Sequence, residues 1–235
     1  MPELNPVRAH ARRRTRSRAA GFTLAELAVV LVIIALLTGS MLVPLGARME
    51  ARDRQRTADT LRDIEQALTG FAIVHGRLPC PSTEPDPASP HYGLEDTAPC
   101  SMAVEGRLPW RTLGMPAHDA WGSARLDSGD DWAGHWRYRV DAAFVAGTVG
   151  AATAPMSNLQ IRADDGTAIT TLSDSQAVAI VLSTGPNRRA DGHNATYSAA
   201  MPTYEAGDPS ADFDDLLVWI GRPLLVARLA QAGRL

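Results

Sequence analysis

The side chains able to do chemistry in this chain fall into a few groups. Six histidines are scattered as His10, His75, His91, His118, His135 and His193, with none at metal-ligand spacing from another and no HExxH frame. All 23 basic residues are arginine, which excludes a Schiff-base or other catalytic lysine. No GxSxG turn or phosphate-cradling glycine loop stands out, and Asp127, Asp130 and Asp131 read as a solvated acidic turn. The expectation is a chain that is not an enzyme. Oxygen donors are better represented. The segments GPNRRADGHN (185–194) and GDPSADFDD (207–215) gather Asn187, Asp191, Asp208, Asp212, Asp214 and Asp215 ahead of the last strong strand pattern. Such carboxylates and amides are the hard ligands that Ca2+ takes. Neither segment has an EF-hand frame. The candidate set is Asn187, Asp191, Asp212 and Asp214, against the alternative of turn-forming residues that hold no metal.

Cys80 and Cys100 are the only cysteines and so have one intramolecular pairing. If the body is exported, a disulfide closing a loop of about 20 residues is expected, worth roughly 3 kcal/mol. In a reducing compartment they would remain two thiols.

The last reactive group sits in an unusual place. From Phe22 to Leu45 the chain is apolar enough to enter a bilayer, with an unbroken run from Leu27 to Leu37, yet Glu26 lies near its start. As a helix this span is about 36 Å long, enough to cross a core of ~30 Å. A carboxylate at the centre of a bilayer costs roughly 2.5–3.5 kcal/mol, and somewhat less near the interface, so Glu26 calls for a partner. Ahead of it, residues 1–21 carry six arginines and one acid, a net of +5, whereas the rest of the chain has 17 arginines against 25 acids, a net of −8. A basic head beside an apolar run reads as a topogenic signal, with the arginines staying cytoplasmic and the acidic remainder crossing. That acidic remainder also argues against a nucleic-acid-binding body.

The run Gly21-Phe22-Thr23-Leu24-Ala25-Glu26, followed by an aliphatic helix, resembles the type IV pilin and type II secretion pseudopilin family. The resemblance covers residues 21 to about 45. It implies a prepilin peptidase that cuts after Gly21, methylation of the new amine on Phe22, and an assembly role for Glu26 at the fifth mature position. Pro44 is the counterpart of the family's helix proline, one residue late. A methylated amine on Phe22 and the carboxylate of Glu26 share one helical face, and in low dielectric the amine of a neighbouring subunit, or of the same helix, would neutralise Glu26. Major pseudopilins also hold calcium in a loop before the terminal strand, although their ligands do not match this chain position by position.

The elements that must carry these groups follow from periodicity. Residues 47–75 place Met49, Leu61, Ile64, Leu68 and Phe71 among charged residues, an amphipathic helix stopped by Gly76 and Pro79. Residues 79–132 are loop-rich, with GRLP at 76–79 and 106–109, and with Trp110, Leu113, Met115 and Trp121 expected to cap a core. Residues 135–145 alternate, with Trp136, Tyr138 and Val140 on the buried face against His135, Arg137 and Arg139. Residues 158–173 read as two β arms around the Asp165-Gly166 turn. Residues 177–184 read as a central strand, 215–221 as the last strong strand and 224–232 as a short tail helix. The expected fold is α+β, a long N-terminal helix packed on an antiparallel sheet.

The expected organisation is a cleaved basic leader (1–21), a transmembrane and assembly helix (22–46), an amphipathic periplasmic helix (47–75) and a periplasmic head (76–235) with its sheet at 135–221. The resemblance implies a pilin-like structural subunit, a minor pilin or pseudopilin assembled through its N-terminal helix into a type II secretion pseudopilus or type IV pilus. Its expected partners are prepilin peptidase, other pilin or pseudopilin subunits, an assembly platform and the inner membrane, without nucleic acid. The rival reading is a periplasmic binding protein or hydrolase released by an ordinary signal peptidase near Ser40, with Arg8 to Arg18 as the basic region of its signal. A DNA-binding competence pilin would need a basic patch, and the acidic head counts against one.

Overall fold

The computed structural model describes residues 21–100, 105–122, 134–173, 175–195 and 202–235, with the side chains of residues 39–45 outside the description. The basic leader, Pro44 as a side chain, and the Asp127, Asp130, Asp131 turn therefore lie outside the described residues. The chain divides into two compact units, residues 1–48 and 49–235.

Helix α1 spans Leu24–His75. In the first unit its described apolar side chains are all exposed, from Leu24 at 90% to Leu37 at 62%. Among the described residues no helix is long and apolar enough to cross a membrane. Side-chain description of the apolar run stops at Thr38, and its second part, Met41 to Leu45, falls outside.

In the second unit the amphipathic spacing of α1 has the expected consequence. Leu61, Ile64, Leu68 and Ala72 lie on one face and are buried in the main core. Met49 does not join them: it is 58% exposed, because the apolar stripe begins only at Leu61. The helix stops at Gly76, whose φ of 73° is a conformation glycine adopts cheaply, and whose N–H donates to the Ala72 carbonyl at 2.8 Å.

The main sheet is antiparallel, in the order β1 (Gly106–Arg107), β2 (Arg137–Val140), β4 (Ala177–Ser183), β6 (Leu216–Gly221). One face packs Tyr138, Val140, Val178 and Val181 against α1 and against Leu225 and Leu229 of α4 (Arg222–Gln231). The other face, with Ala177 and Ile180, is covered by Leu159, Ile161 and Tyr204 from a second sheet, made of β3 (Gln160–Arg162) and β5 (Thr203–Glu205). Every residue of β4 is buried, as its continuous apolar run requires for a strand covered on both sides. The second layer also covers the face that carries Arg139, expected at the surface but only 6% exposed; His135, equally buried, lies under the rings of Tyr92, Trp110 and His118 instead.

The hairpin reading of 158–173 is half right. The turn forms, with Gly166 at φ 81° and its N–H donating to Ala163 at 2.9 Å. The second arm makes only an isolated bridge between Arg162 and Ala168, and Thr170 spends its hydroxyl accepting the Ile161 N–H at 2.8 Å. The strand partner of β3 is β5 instead, and the pairing is parallel. Short helices α2 (Trp110–Leu113) and α3 (Gly192–Ala195) and a 3-10 turn at Ala142–Phe144 complete the described elements.

The described part of the loop region is anchored by specific contacts. Cys80 and Cys100 form a disulfide, 20 residues apart in sequence. Within that loop Glu95 takes both guanidinium nitrogens of Arg77, at 2.9 and 3.1 Å. Both GRLP fragments bury their leucine completely, Leu78 and Leu108. Trp110 stacks on His135 with ring centroids 4.7 Å apart, and the Tyr92 hydroxyl meets His135 Nε2 at 2.7 Å, an aromatic cap over the core.

Candidate functional site

The N-terminal site is built on the first turn of α1. Gly21 and Phe22 precede the helix, and Phe22 is 84% exposed. Thr23 is the capping residue. Its Oγ1 accepts the N–H of Glu26 at 3.2 Å, while Glu26 Oε2 accepts the Thr23 N–H and hydroxyl, each at 2.9 Å. This reciprocal capping box satisfies two N–H groups that a helix start otherwise leaves open. Glu26 is thus held by its own chain, beside an exposed Gly-Phe junction and an exposed apolar surface.

The second site is built from the two polar segments flanking the sheet edge. Asp191, Asp214 and Asp215 each offer a carboxylate oxygen, all within 4.8 Å of one another. Local hydrogen bonds fix this arrangement. Asp191 Oδ2 accepts the Asp214 N–H at 2.9 Å, and Asp215 Oδ2 accepts the Asp191 N–H at 2.9 Å and the Asn194 amide at 2.9 Å. Asp214 Oδ1 and Asp215 Oδ1 are buried and meet no donor. Gly185 makes room: its φ is 61°, and a side chain there would press within 2.4 Å of Asp214 Oδ1. Arg188 ties the same loop to Trp121 O at 2.6 Å.

Burial pushes the Asp214 carboxyl up to about 6, with the nearby Asp191 charge adding to the effect. Burial likewise pushes Asp215 up to about 7, against the hydrogen bonds from Asp191 and Asn194. Crowded carboxylates with unmet buried oxygens are held either by protons or by a hard cation, and three oxygens so placed fit a divalent ion.

The structure sorts the four expected ligands. Asp191 and Asp214 are in the cluster. Asn187 is beside it but turned round: its amide nitrogen donates to Asp191 at 3.1 and 3.2 Å, and its Oδ1 accepts the Arg189 N–H. Asp212 is exposed and outside the cluster, its N–H donating to Ser210 Oγ at 3.3 Å. Asp215, gathered among the oxygen donors in the sequence but left out of the candidate set of four, is the third member. Burial would have been the signal for it, and nothing in its immediate sequence carries that signal.

Comparison with known proteins bears on the first site. No curated protein and no solved structure matches the chain. Residues 16–42 match the family model of the prokaryotic N-terminal methylation motif, the signature of type IV pilin and pseudopilin substrates of prepilin peptidase. The chain therefore carries the processing signature of a pilin-type or pseudopilin-type subunit, ahead of an α+β, pilin-like arrangement of helix and sheet.

Proposed function

We propose that this chain is a structural subunit, a minor pilin or pseudopilin, assembled through its N-terminal helix into a type IV pilus or a type II secretion pseudopilus. The observation that carries this reading is the methylation motif at residues 16–42, with Gly21 and Phe22 at the cleavage junction and Glu26 in the first helical turn. In this account the peptidase removes residues 1–21 and methylates Phe22. The apolar run from Phe22 to Leu45 first sits in the inner membrane, arginines inside, with the disulfide-bonded head in the periplasm. It then leaves lipid for a bundle of sister helices, where the exposed side chains of Leu27 to Leu37 find apolar partners. Glu26 exchanges its capping contacts for a neighbour's amine and sets subunit register.

The test is processing in cells with and without a prepilin peptidase. The account expects loss of the leader only when the peptidase is present, and no loss in a Gly21→Val variant. Cleavage that is independent of the peptidase would favour the rival of a soluble protein released near Ser40.

We also propose that Asp191, Asp214 and Asp215 hold a divalent cation, Ca2+ by the hardness of their oxygens. Two buried carboxylate oxygens without donors support it. The ion would tie the 185–191 loop to the start of β6. Isothermal titration of the full chain with CaCl2 tests this, with binding expected for the parent protein and lost in Asp215→Ala.

A further inference from the structure

The two edges of the main sheet are treated differently. At the β1 edge, Ser82 bridges Arg107, with hydrogen bonds of 2.8 and 3.0 Å in both directions, so that edge is closed by the chain itself. At the other edge, β6 pairs only with β4, and no described strand lies beyond it. Sheet edges of soluble domains are usually blunted by charge, proline, shortness or a bulge. Strand β6 is six residues long, LLVWIG, with no charge and no proline. Its register irregularity is confined to the far end, opposite Ala177 and Ala179, which leaves Leu216–Trp219 in regular pairing. These four residues are half-buried, not covered.

A groove of about 410 Å³ lies along this edge, between Leu216, Leu217 and Val218 on one side and Leu61, Arg54 and Arg62 of α1 on the other, with the 206–209 segment and Asp215 completing its wall. Its chemistry restricts what fits. On the side away from β4, the main-chain groups of β6 have no strand partner among the described residues, and an added extended backbone is what pairs such groups. The apolar lining takes alternate small apolar side chains. Arg54 and Arg62 lie two turns apart on the helix, about 12 Å, close to the ~13 Å spanned by four strand residues. Arg62 is held by one surface carboxylate, Asp59 at 2.6 Å, an exposed pair that is weak and readily exchanged for an incoming acid. Arg54 is more enclosed: it meets Glu50 at 3.5 Å and donates to the Asp214 carbonyl at 3.5 Å.

We propose that the open edge of β6 is a docking site for an extended segment of a partner protein, apolar on one face and carrying acidic residues four apart, which adds to the sheet beyond β6. This contact is separate from the helix-mediated assembly above and stands or falls independently of it. In it the backbone supplies affinity, and the two arginines choose the partner and its register.

The experiment uses the full chain in detergent and a fluorescein-labelled peptide of alternating valine and threonine with glutamates four residues apart. Fluorescence anisotropy is compared with the lysine counterpart and with a peptide N-methylated at alternate backbone nitrogens. The proposal expects the glutamate peptide to bind at least 10-fold more tightly than either control, and Arg62→Glu to reverse the preference between glutamate and lysine. Arg62 is exposed on α1, so this variant is expected to fold, and its circular dichroism spectrum checks that. Absence of binding, equal binding of the lysine peptide, or binding that survives N-methylation would overturn it. Self-association of the full chain that displaces the peptide would also overturn it, by making the occupant a second copy.

Discussion

The Glu26 carboxylate folds back on Thr23, accepting its backbone N–H and its hydroxyl at 2.9 Å each. One side chain therefore serves two tasks in this account, capping its own helix and later meeting a neighbour's amine. The two can be separated. Glutamine preserves a capping box but carries no charge. Glu26→Gln is expected to be processed at Gly21 normally and to fall at least 10-fold in recovery from sheared filaments, measured by immunoblot against the parent. Normal assembly of Glu26→Gln would show that the charge is not needed.

The Asp214 and Asp215 carboxyls, raised to about 6 and about 7, set a pH dependence. Unfolded aspartates titrate near 4, so between roughly pH 4 and 7 the cation-free folded chain binds more protons than the unfolded one. Stability is then lost as pH rises through that window. A bound cation replaces those protons, so its benefit grows with pH. Melting in EGTA is expected to fall from pH 5 to 7.5. Ca2+ at about 100 times its Kd is expected to raise Tm by about 5–10 °C at pH 7.5 and far less at pH 5.

How much of this was legible in the sequence depended on the range of the interaction. Strand β4 was readable because burial on both faces needs an unbroken apolar run, and AVAIVLS is one. The amphipathic half of α1 was readable from Leu61, Ile64 and Leu68 at helical spacing. The second layer was not. Strands β3 and β5 are three residues each and pair across a long stretch of chain, so neither carries a period of its own. That hidden layer covers the face that carries Arg139. The carboxylate cluster was legible only in part, Asp191 and Asp214 but not the choice between Asp212 and Asp215: those two look alike as letters, and only the chain path around Phe213 buries one and exposes the other.

Another consequence of the second layer concerns charge. Glu105 accepts Arg137 Nε at 2.5 Å and also the Tyr204 hydroxyl, with the two charged side chains only 4% and 13% exposed. Removing one member leaves a buried charge behind. Arg137→Met is expected to cost about 3–5 kcal/mol by urea denaturation, and adding Glu105→Leu is expected to recover most of that loss. A double variant no more stable than the single one would show that the pair contributes more than its own neutralisation.

The Cys80–Cys100 bond closes a 20-residue separation and constrains the unfolded chain. Cys80→Ser with Cys100→Ser is expected to lower stability by about 3 kcal/mol, a fall of roughly 6–12 °C in Tm for a body of this size. Calorimetry of oxidised parent and double variant reads it, and an unchanged Tm would mean that the loop is held by its other contacts, Arg77 with Glu95 among them.

The central claim is the processing event at the start of α1, and intact mass with N-terminal sequencing tests it most directly. The protein would be recovered from membranes of cells that carry a prepilin peptidase. The account predicts a chain that begins at N-methylated Phe22 and reverts to the full precursor when the peptidase gene is deleted. A soluble chain beginning near Met41, present with or without the peptidase, would contradict it.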